Sequence, residues 1–458
     1  MKITFYGGAG WVTGANYLLE GNNKRILIDC GLFQGSKYAD DLNYQPFGYD
    51  PKTIDCVFVT HSHIDHIGRL PKLFKEGFRG VVYATSATRD LIEVALPDNL
   101  EHITREAKEN GHEPLYEKKD VAGLIALIKG VDYRQMLDLG GGPPNGETSI
   151  SAILHDAGHI LGSAFIEFSW DQKKLIFSGD LGNPPTPLLQ PTEFIHDADY
   201  IVIESAYGDR THEDRTERRT KLAEIIADTI HQKGVLMIPS FSLERTQELL
   251  YELNELHEKK EIPQVPIFVD SPLAIKMTAV YQKHHEYFNQ HTSYLINSGD
   301  DVFAFPGLRM TDSVQESKAI NDVPPPKVII AGSGMSQGGR ILHHEHRYLP
   351  DPNSTILMVG YQVQGSRGRK ILKGEPQVSI FGEIVPIRCR VMALQSYSAH
   401  ADQPTLLHWL AEANSKNHLK RVFVVQGEER VAKTLAAVAH ERLGIEAIVP
   451  VPGQSEEL

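Results

Sequence analysis

The sequence predicts an α/β protein in which sheets and helices pack in layers, with more than one domain. A chain of 458 residues is too long for a single hydrophobic core. Up to about residue 205, short β-branched runs such as "RILIDCGLF" and "KLIFSGD" follow one another with little helix between them, which predicts packed sheets. From about Arg215, long helical patterns alternate with single strands, as is typical of a doubly wound unit.

Composition and charge exclude several classes of protein. Hydrophobic residues make up 41% and charged residues 23% of the chain, which is ordinary for a globular protein. No apolar stretch is long enough to span a membrane, and "MKITFYGGAG" lacks the apolar segment of a secretory signal, so we expect a cytoplasmic protein without a membrane partner. The net charge of -13 argues against a general polyanion-binding surface, so a nucleic-acid substrate would need local basic clusters.

Two features are interpreted as structural. The cysteines Cys30, Cys56 and Cys389 are odd in number and widely spaced, which fits neither a disulfide framework nor a cysteine-based zinc motif. We therefore predict that they are small buried hydrophobic residues. The tail "GQSEEL" is predicted to be disordered.

The stretch "THSHIDHIG", Thr60 to Gly68, follows the apolar run "CVFV" and is the first candidate for a metal site. On a strand, His61 and His63 would point to one face, and the loop after the strand can turn Asp65 and His66 toward the same point. These four side chains can then converge on one or two zinc ions. The alternative is a solvated polar loop.

Further candidate ligands recur downstream, which favours the metal site. His159 follows "DAG" and Asp180 follows "LIFSG", each at the end of a predicted strand. Asp29, in "ILIDCG", also lies at a strand end, where its carboxylate is well placed to accept a hydrogen bond from a metal-bound histidine or water.

In this order, Asp29, "HSHIDH", "AGHILGSA" and "SGDLGN" resemble the metallo-β-lactamase superfamily. The later blocks "ESAYGDR", "PSFSLERTQELL", "VFVDSPLA", "AGSGMSQGGRILHH", "SYSAHAD" and "VVQGEE" resemble its β-CASP branch of RNA-processing nucleases. That branch includes the 73 kDa cleavage and polyadenylation nuclease, its bacterial and archaeal relatives, and RNase J. The resemblance covers nearly the whole chain.

The resemblance implies an αββα sandwich with an inserted, doubly wound β-CASP domain. Residues 1–205 and 366–458 would then form the two parts of the metallo-β-lactamase domain, and residues 206–365 the β-CASP domain. Because Asp29 comes so early, we expect no additional N-terminal RNA-binding domain, and no long C-terminal extension of the RNase J kind.

The resemblance also implies hydrolysis of RNA phosphodiester bonds by two zinc ions, with a metal-bound hydroxide as the nucleophile. The ligands it implies for the first zinc are three histidines, His61, His63 and His159. Asp65 and His66 would bind the second zinc, and Asp180 would bridge the two ions.

Three residues are implied to be catalytic: Asp65, Glu204 and His400. His400, in "SYSAHAD", occupies the family's general-acid position, and a histidine is suited to proton transfer near neutral pH. Glu204, in "IVIESAYGD", matches an acidic residue of the branch that could keep His400 charged and oriented. A strand-end salt bridge is the alternative for Glu204.

At one position the chain departs from the family's pattern. The last block of the branch normally offers a histidine as a further ligand of the second zinc, but here "VFVVQGEE" places Gln426 there. A glutamine oxygen is neutral and a weaker zinc donor than imidazole. We therefore expect a second site that is weaker or takes another divalent ion. The alternative is that water or a nearby carboxylate fills the gap.

Contacts to RNA phosphate are predicted in two segments. "AGSGMSQGGR" follows a strand and opens a helix, a placement that favours phosphate, and it offers Ser333, Gly334 and Arg340. The run "QGSRGRKILK" adds three basic residues, Arg367, Arg369 and Lys370, which a solvated surface would also explain. Nearby, His343, His344 and His346 are expected on a partly exposed helix face.

Other functions stay open at this level. A DNA-directed or small-molecule hydrolase would share the zinc ligands, although a small-molecule enzyme has no need of the inserted domain or of His400. A catalytically weakened RNA-binding subunit is the third alternative, because one expected ligand differs. Endonuclease and 5'-to-3' exonuclease action are not distinguished, and neither are a monomer and a homodimer.

Overall fold

A computed structural model of the chain describes residues 1–35, 37–140, 149–215 and 217–458. They divide into two compact units. The first unit comprises Met1–Thr186, Gln190–Thr211 and Ala399–Leu458, and the second comprises Pro187–Leu189 and His212–Ser398. The predicted domain boundaries after residues 205 and 365 stay a prediction, and residues 366–398 belong by their contacts to the second unit.

The strands are numbered along the chain. They are β1 (Lys2–Gly7), β2 (Asn16–Gly21), β3 (Lys24–Ile28), β4 (Cys56–Phe58), β5 (Val81–Thr85), β6 (Ile128–Val131), β7 (Leu137–Gly140), β8 (Ile150–Asp156), β9 (Ala164–Trp170), β10 (Lys173–Phe177), β11 (Tyr200–Ile203), β12 (Val235–Pro239), β13 (Ile267–Asp270), β14 (Leu308–Met310), β15 (Lys327–Ala331), β16 (Thr355–Met358), β17 (Gln377–Ile380), β18 (Glu383–Pro386), β19 (Arg390–Ala393), β20 (Arg421–Val424), β21 (Ala447–Ile448) and β22 (Ser455–Glu457).

The α-helices are numbered in the same way. They are α1 (Lys37–Leu42), α2 (Ile64–Ile67), α3 (Leu70–Lys75), α4 (Ser86–Asn110), α5 (Lys118–Ile125), α6 (Arg218–His231), α7 (Arg245–Glu258), α8 (Pro272–Lys283), α9 (Gln290–Asn297), α10 (Val314–Ala319), α11 (Ile341–Tyr348), α12 (Arg367–Leu372), α13 (Gln403–Ala413) and α14 (Glu429–Leu443). Across the described ranges, no helix combines the length and the apolar character that crossing a membrane requires.

The first unit is a sandwich of two seven-stranded sheets. One sheet has the order β22-β1-β2-β3-β4-β5-β6 and the other the order β21-β20-β11-β10-β9-β8-β7. Their inner faces share one core, in which Phe5 and Phe58 come from the first sheet and Phe168 and Phe177 from the second. Helix α4 packs on the outside of the first sheet and α14 on that of the second. The predicted αββα sandwich is confirmed.

The second unit is built on a six-stranded sheet of order β14-β13-β15-β12-β16-β19, in which every pair is parallel. Helices such as α7, between β12 and β13, and α11, between β15 and β16, connect its strands, so the predicted doubly wound architecture is confirmed. Strands β17 and β18 form a separate antiparallel hairpin.

The cysteines and the tail gave different outcomes. Cys30, Cys56 and Cys389 are buried free thiols, as predicted. The prediction of a disordered tail was wrong, because Ser455–Glu457 pair antiparallel with β1. The edge of β1 offers backbone hydrogen-bonding groups that this short segment satisfies. The Thr4 and Ser455 hydroxyls add a contact of 2.8 Å.

Glu345, in α11, is a buried acid of the second unit. Its side chain is fully inaccessible to solvent, and the Ser336 hydroxyl donates a hydrogen bond to its Oε1. Burial raises the pKa of Glu345 to about 7. Because this pKa lies above the value of an unfolded glutamate, the stability that the group contributes is present at acidic pH and falls as the pH rises through 7.

We expect Glu345→Gln to remove this pH dependence. Ionisation of the buried acid costs on the order of 3 kcal/mol at pH 8, since one pKa unit corresponds to about 1.4 kcal/mol. Relative to the parent protein, the variant should therefore gain free energy of unfolding between pH 5 and pH 8. Urea unfolding at both pH values measures this, and an equal difference at the two would contradict the assignment.

Candidate metal centre

The candidate site lies in the first unit, where the ends of several strands meet. His61 and His63 follow β4, and Asp65 and His66 lie in the short helix α2 after them. In the other sheet, β10, β11 and β20 are adjacent and parallel, so their carboxyl ends share one edge. The side chains that follow these three strands are Asp180, Glu204 and Gln426.

Two more candidate residues reach this edge through loops. His159 follows β8, and its imidazole is buried. His400 is held by an isolated β-bridge to Gly182. The structure therefore brings together the predicted metal and proton-transfer residues, although they are spread over the sequence from residue 29 to residue 426.

Four ligand atoms form a compact group, here called the first ligand group. His63 Nδ1 lies 3.0 Å from His61 Nε2 and 3.3 Å from His159 Nε2. Asp180 Oδ2 lies 3.4 Å from His61 Nε2 and 3.5 Å from His159 Nε2. Ligands at tetrahedral positions around a zinc ion, each about 2.0 to 2.1 Å from it, are about 3.3 Å apart. The spacing of this group fits one ion.

The electrostatics of the first ligand group also fit metal binding. Burial and the neighbouring imidazole of His61 hold the pKa of His63 well below its usual range. Burial and His400 do the same to the pKa of His159. Rings with a lowered pKa are neutral, and a neutral imidazole offers the lone pair that a metal needs.

A second ligand group lies beside the first and shares Asp180. Asp180 Oδ1 lies 3.4 Å from His66 Nε2, and Asp65 Oδ2 lies 4.0 Å from the same nitrogen. The Gln426 carboxamide nitrogen lies 2.8 Å from His66 Nε2 and donates a hydrogen bond of 2.9 Å to Asp180 Oδ1. This group does not fit an ion as the first does, because an amide donor faces two of its ligand atoms. A second zinc stays a prediction.

Asp29 contacts His66 of the second ligand group on the side of the ring that faces away from the site. Its Oδ1 accepts a hydrogen bond of 2.8 Å from the Thr60 backbone N–H, and its Oδ2 accepts one of 2.8 Å from the Thr60 hydroxyl. His66 Nδ1 lies 2.7 Å from Asp29 Oδ2. A neutral His66 ring with its proton on Nδ1 donates to Asp29 and presents its lone pair at Nε2, toward the site.

His400 and Glu204 form a charged pair next to Asp180. Glu204 is fully buried, and its Oε1 accepts a hydrogen bond of 2.6 Å from the Leu181 backbone N–H. Its Oε2 lies 3.2 Å from His400 Nδ1. Burial lowers the pKa of His400, but the Glu204 and Asp180 carboxylates outweigh it and raise this pKa to about 9. The imidazole is therefore protonated at neutral pH.

Sequence reasoning missed residues that orient the site. The Thr60 hydroxyl contacts His61 Nδ1 at 3.1 Å as well as Asp29. On the far side of the site, the Tyr17 hydroxyl lies 3.4 Å from Gln426 Oε1. Adjacency to "HSHIDH" is a signal for Thr60, whereas nothing local marks Tyr17.

In the second unit, the Arg340 guanidinium is engaged within the fold. It donates to Asp270 Oδ1 at 2.8 Å, to the Thr311 carbonyl at 3.0 Å and to the Asp312 carbonyl at 2.6 Å. His344, which was expected on a partly exposed face, is buried with its Nε2 2.8 Å from Asp270 Oδ2. The expectation was wrong for His344, because the sequence does not reveal that Asp270 needs buried partners, whereas His343 is exposed and His346 is partly exposed.

The other predicted phosphate contacts lie nearby in the second unit. The Ser333 hydroxyl accepts hydrogen bonds from the backbone N–H groups of Gln337 and Gly338. These bonds stabilise the loop that contains Ser333. The Gly334 carbonyl accepts a hydrogen bond of 2.9 Å from the Gln362 amide. A phosphate role for Ser333, Gly334 and Arg340 stays a prediction.

The basic run has both engaged and exposed members. Arg367 donates to the Ser379 carbonyl at 2.9 Å and to the Ser336 carbonyl. Lys370 is exposed, and with Arg367 it lines a cavity of about 440 Å³. Arg369 is partly exposed on the same helix, α12. Contacts of these three residues with RNA stay a prediction.

A two-sheet sandwich with buried histidines and aspartates at its strand ends defines a metal-dependent hydrolase. Three family models match successive parts of the chain: the metallo-beta-lactamase superfamily at residues 9–209, the Beta-Casp domain at residues 246–371, and the Zn-dependent metallo-hydrolase RNA specificity domain at residues 384–450. The chain therefore belongs to the β-CASP branch of the metallo-β-lactamase superfamily.

Curated relatives match over most of their length. Ribonuclease TTHA0252 of Thermus thermophilus is 40% identical, over 94% of this chain and 94% of that protein. Transcription termination factor FttA of Methanosarcina mazei is 32% identical, over 97% of this chain and 70% of that protein. A crystal structure of a protein of unknown function from Enterococcus faecalis covers 100% of this chain and 99% of its own, with a TM-score of 0.56 and 13% identity, which shows a similar fold.

We expect Asp29→Asn to destabilise the metal-depleted protein by about 1 to 3 kcal/mol, the cost of an unsatisfied buried polar group. A carboxamide has one accepting oxygen, so its NH₂ group must face either a Thr60 donor or His66. Urea unfolding followed by circular dichroism measures the change. The control is Asp171→Asn, at an exposed turn where asparagine is readily accommodated. Unfolding of Asp29→Asn at the same urea concentration as the parent would contradict the expectation.

Proposed function

We propose that the protein cleaves RNA phosphodiester bonds with the help of zinc bound at the first ligand group. The observation that carries the proposal is the close spacing of four ligand atoms, with four of their separations between 3.0 and 3.5 Å, next to a protonated histidine. The match to an RNA specificity domain and the 40% identity to a protein named a ribonuclease support RNA as the substrate.

Zinc is proposed because the ligands are three imidazoles and one carboxylate, a donor set that suits it. When bound, the metal would polarise the phosphodiester and lower the pKa of a water molecule toward neutrality. His61, His63, His159 and Asp180 would hold it. His61, His159 and Asp180 are buried and His63 is partly buried. Their four ligand atoms lie within 4.8 Å of one another, so they require little rearrangement to bind a metal ion.

Residues of this chain would supply the proton that the leaving oxygen needs. His400 turns Nδ1 toward Glu204, so we assign Nε2 as the atom that donates a proton to the leaving oxygen. Glu204 acts through His400: its carboxylate, fixed by the Leu181 N–H, keeps the imidazole charged and aimed. Asp65, whose side chain is 22% exposed, would orient the attacking water.

Binding of the RNA backbone is proposed for the second unit. Lys370 and Arg369 have the exposure that contact with phosphate needs, and Arg367 has a guanidinium at the rim of the same cavity. Such contacts are electrostatic, so affinity for RNA should fall as salt concentration rises.

The proposal predicts cleavage of RNA that depends on both the metal and His63. End-labelled RNA and DNA of the same sequence are incubated with the parent protein, with His63→Ala and with the surface control His418→Ala. We expect the parent and the control to cleave RNA, chelation to abolish cleavage and zinc to restore it, and His63→Ala to lose at least a hundredfold in rate.

Other results of that experiment select the alternatives. Faster cleavage of DNA would identify a DNA-directed enzyme. Binding of RNA without cleavage of either polymer would identify a catalytically weakened RNA-binding subunit. If the parent neither binds nor cleaves RNA, the proposal is wrong.

The role of His400 predicts an effect that depends on the leaving group. A general acid contributes about 10² to 10⁴ in rate when the leaving oxygen needs a proton. We expect His400→Ala to lower kcat on RNA by that factor, while hydrolysis of bis(p-nitrophenyl) phosphate, whose leaving group is a stable anion, changes less than tenfold. Equal losses on both substrates would refute proton donation, and unchanged zinc content rules out an indirect effect on the metal.

A further inference from the structure

We propose that the Gln426 carboxamide takes the place of a second metal ion, so that the protein works with one resident ion, at the first ligand group. The inference rests on the proposed function for that first ion and goes beyond it in the number of ions. It is carried by the hydrogen bonds of Gln426 and by the distances that they set.

The atom of Gln426 that faces the second ligand group is a hydrogen-bond donor. The Gln426 nitrogen is 2.8 Å from His66 Nε2 and 2.9 Å from Asp180 Oδ1, which are ordinary hydrogen-bond lengths. An amide nitrogen donates through its NH₂ group and offers no lone pair to a metal ion. Gln426 therefore approaches these two atoms as a donor, where a cation would otherwise attract both.

The partners of the carboxamide agree on its orientation. Asp180 Oδ1 belongs to a carboxylate and can only accept. His66 Nε2 accepts when the ring is neutral with its proton on Nδ1, which lies 2.7 Å from Asp29 Oδ2. On the opposite side, the Tyr17 hydroxyl can donate to Gln426 Oε1 at 3.4 Å. Turning the amide over would place its oxygen against the Asp180 carboxylate, which has no proton to donate.

The backbone keeps the carboxamide in this position. Gln426 directly follows β20 and the buried Val425, and its own N–H donates to the Gly8 carbonyl at 2.6 Å. Its side chain is 3% exposed. A Cβ at Gly8 would lie 2.3 Å from the Tyr17 hydroxyl and 3.3 Å from Gln426 Cγ, so the loop packs directly on this side chain.

A neutral amide and a metal ion differ in the charge that they bring to the neighbouring residues. It satisfies His66 Nε2 and Asp180 Oδ1 with two hydrogen bonds but supplies no positive charge. Asp65 then lacks a cation to bind, and its Oδ2 lies 4.0 Å from His66 Nε2. The centre holds two units of positive charge fewer than a two-ion centre would.

The test counts ions, with Zn²⁺ alone as the probe. The metal-free protein is titrated with Zn²⁺ by calorimetry, and retained zinc is measured by mass spectrometry after dialysis. We expect one equivalent for the parent and two for Gln426→His. Gln426→Glu, which keeps the length of the side chain and offers an anionic oxygen, is the second variant and should also take up two. The control Gln135→His adds a histidine at an exposed position of the same unit and should stay at one.

Cobalt gives an independent readout that does not depend on activity. With excess Co²⁺, magnetic coupling between two neighbouring ions should appear in Gln426→His and be absent from the parent. Two equivalents of zinc in the parent would overturn the inference, since Gln426 would then admit a second ion. One equivalent in both folded variants would also overturn it, because something other than the amide would then exclude the ion. No zinc in the parent would instead overturn the proposed function.

Discussion

The fully surrounded carboxylate of Asp180 is the interaction on which the site depends. Its Oδ2 faces His61 and His159, and its Oδ1 faces His66 and Gln426. Burying a charged carboxylate costs free energy unless positive or hydrogen-bond-donating groups surround it. Removing any one neighbour therefore changes how strongly the carboxylate interacts with the others. The nearby imidazoles hold the pKa of Asp180 well below its usual range against the effect of burial.

The packing of the two sheets sets the distances at that carboxylate. The first sheet contributes three histidines, His61, His63 and His66, which follow β4. The second sheet contributes His159, which follows β8, and Asp180, which follows β10. The aromatic core between the sheets includes Phe58, two residues before Thr60, and Phe177, three residues before Asp180. A change of register or spacing in that core would therefore separate the ligands before it affected any of them directly.

The sequence predicted those parts of the site whose signals are local. "HSHIDH" brings its ligands together through spacing alone, and His159 and Asp180 could be located because each ends a recognisable strand. The pairing of His400 with Glu204 is not local, since 196 residues separate them, and its prediction depended on the family resemblance. Likewise, packed sheets and a doubly wound unit could be predicted from patterns of strands and helices, whereas the αββα sandwich with an inserted domain was predicted from the resemblance.

What the sequence did not reveal are contacts made by distant residues with unremarkable neighbours in the chain. The placement of Gln426 depends on contacts with Tyr17 and Gly8, more than 400 positions away. The burial of His344 depends on Asp270, whose pKa of about 2 reflects hydrogen bonds that include those from His344 and Arg340, with burial acting against them. The pairing of β22 with β1 joins the two ends of the described chain. Periodicity and spacing carry no information on such pairs.

These contacts also explain how a change at position 426 can spare the first ligand group. The Asp180 carboxylate keeps its orientation only if a donor or a cation contacts Oδ1. With that oxygen unsatisfied, the carboxylate would rotate toward other donors, including His400, whose Nδ1 lies 3.7 Å from Oδ2. A Gln426 amide supplies that partner by a hydrogen bond. Oδ2 therefore keeps its place beside His61 and His159, and Glu204 keeps His400, even where the second ligand group binds no ion.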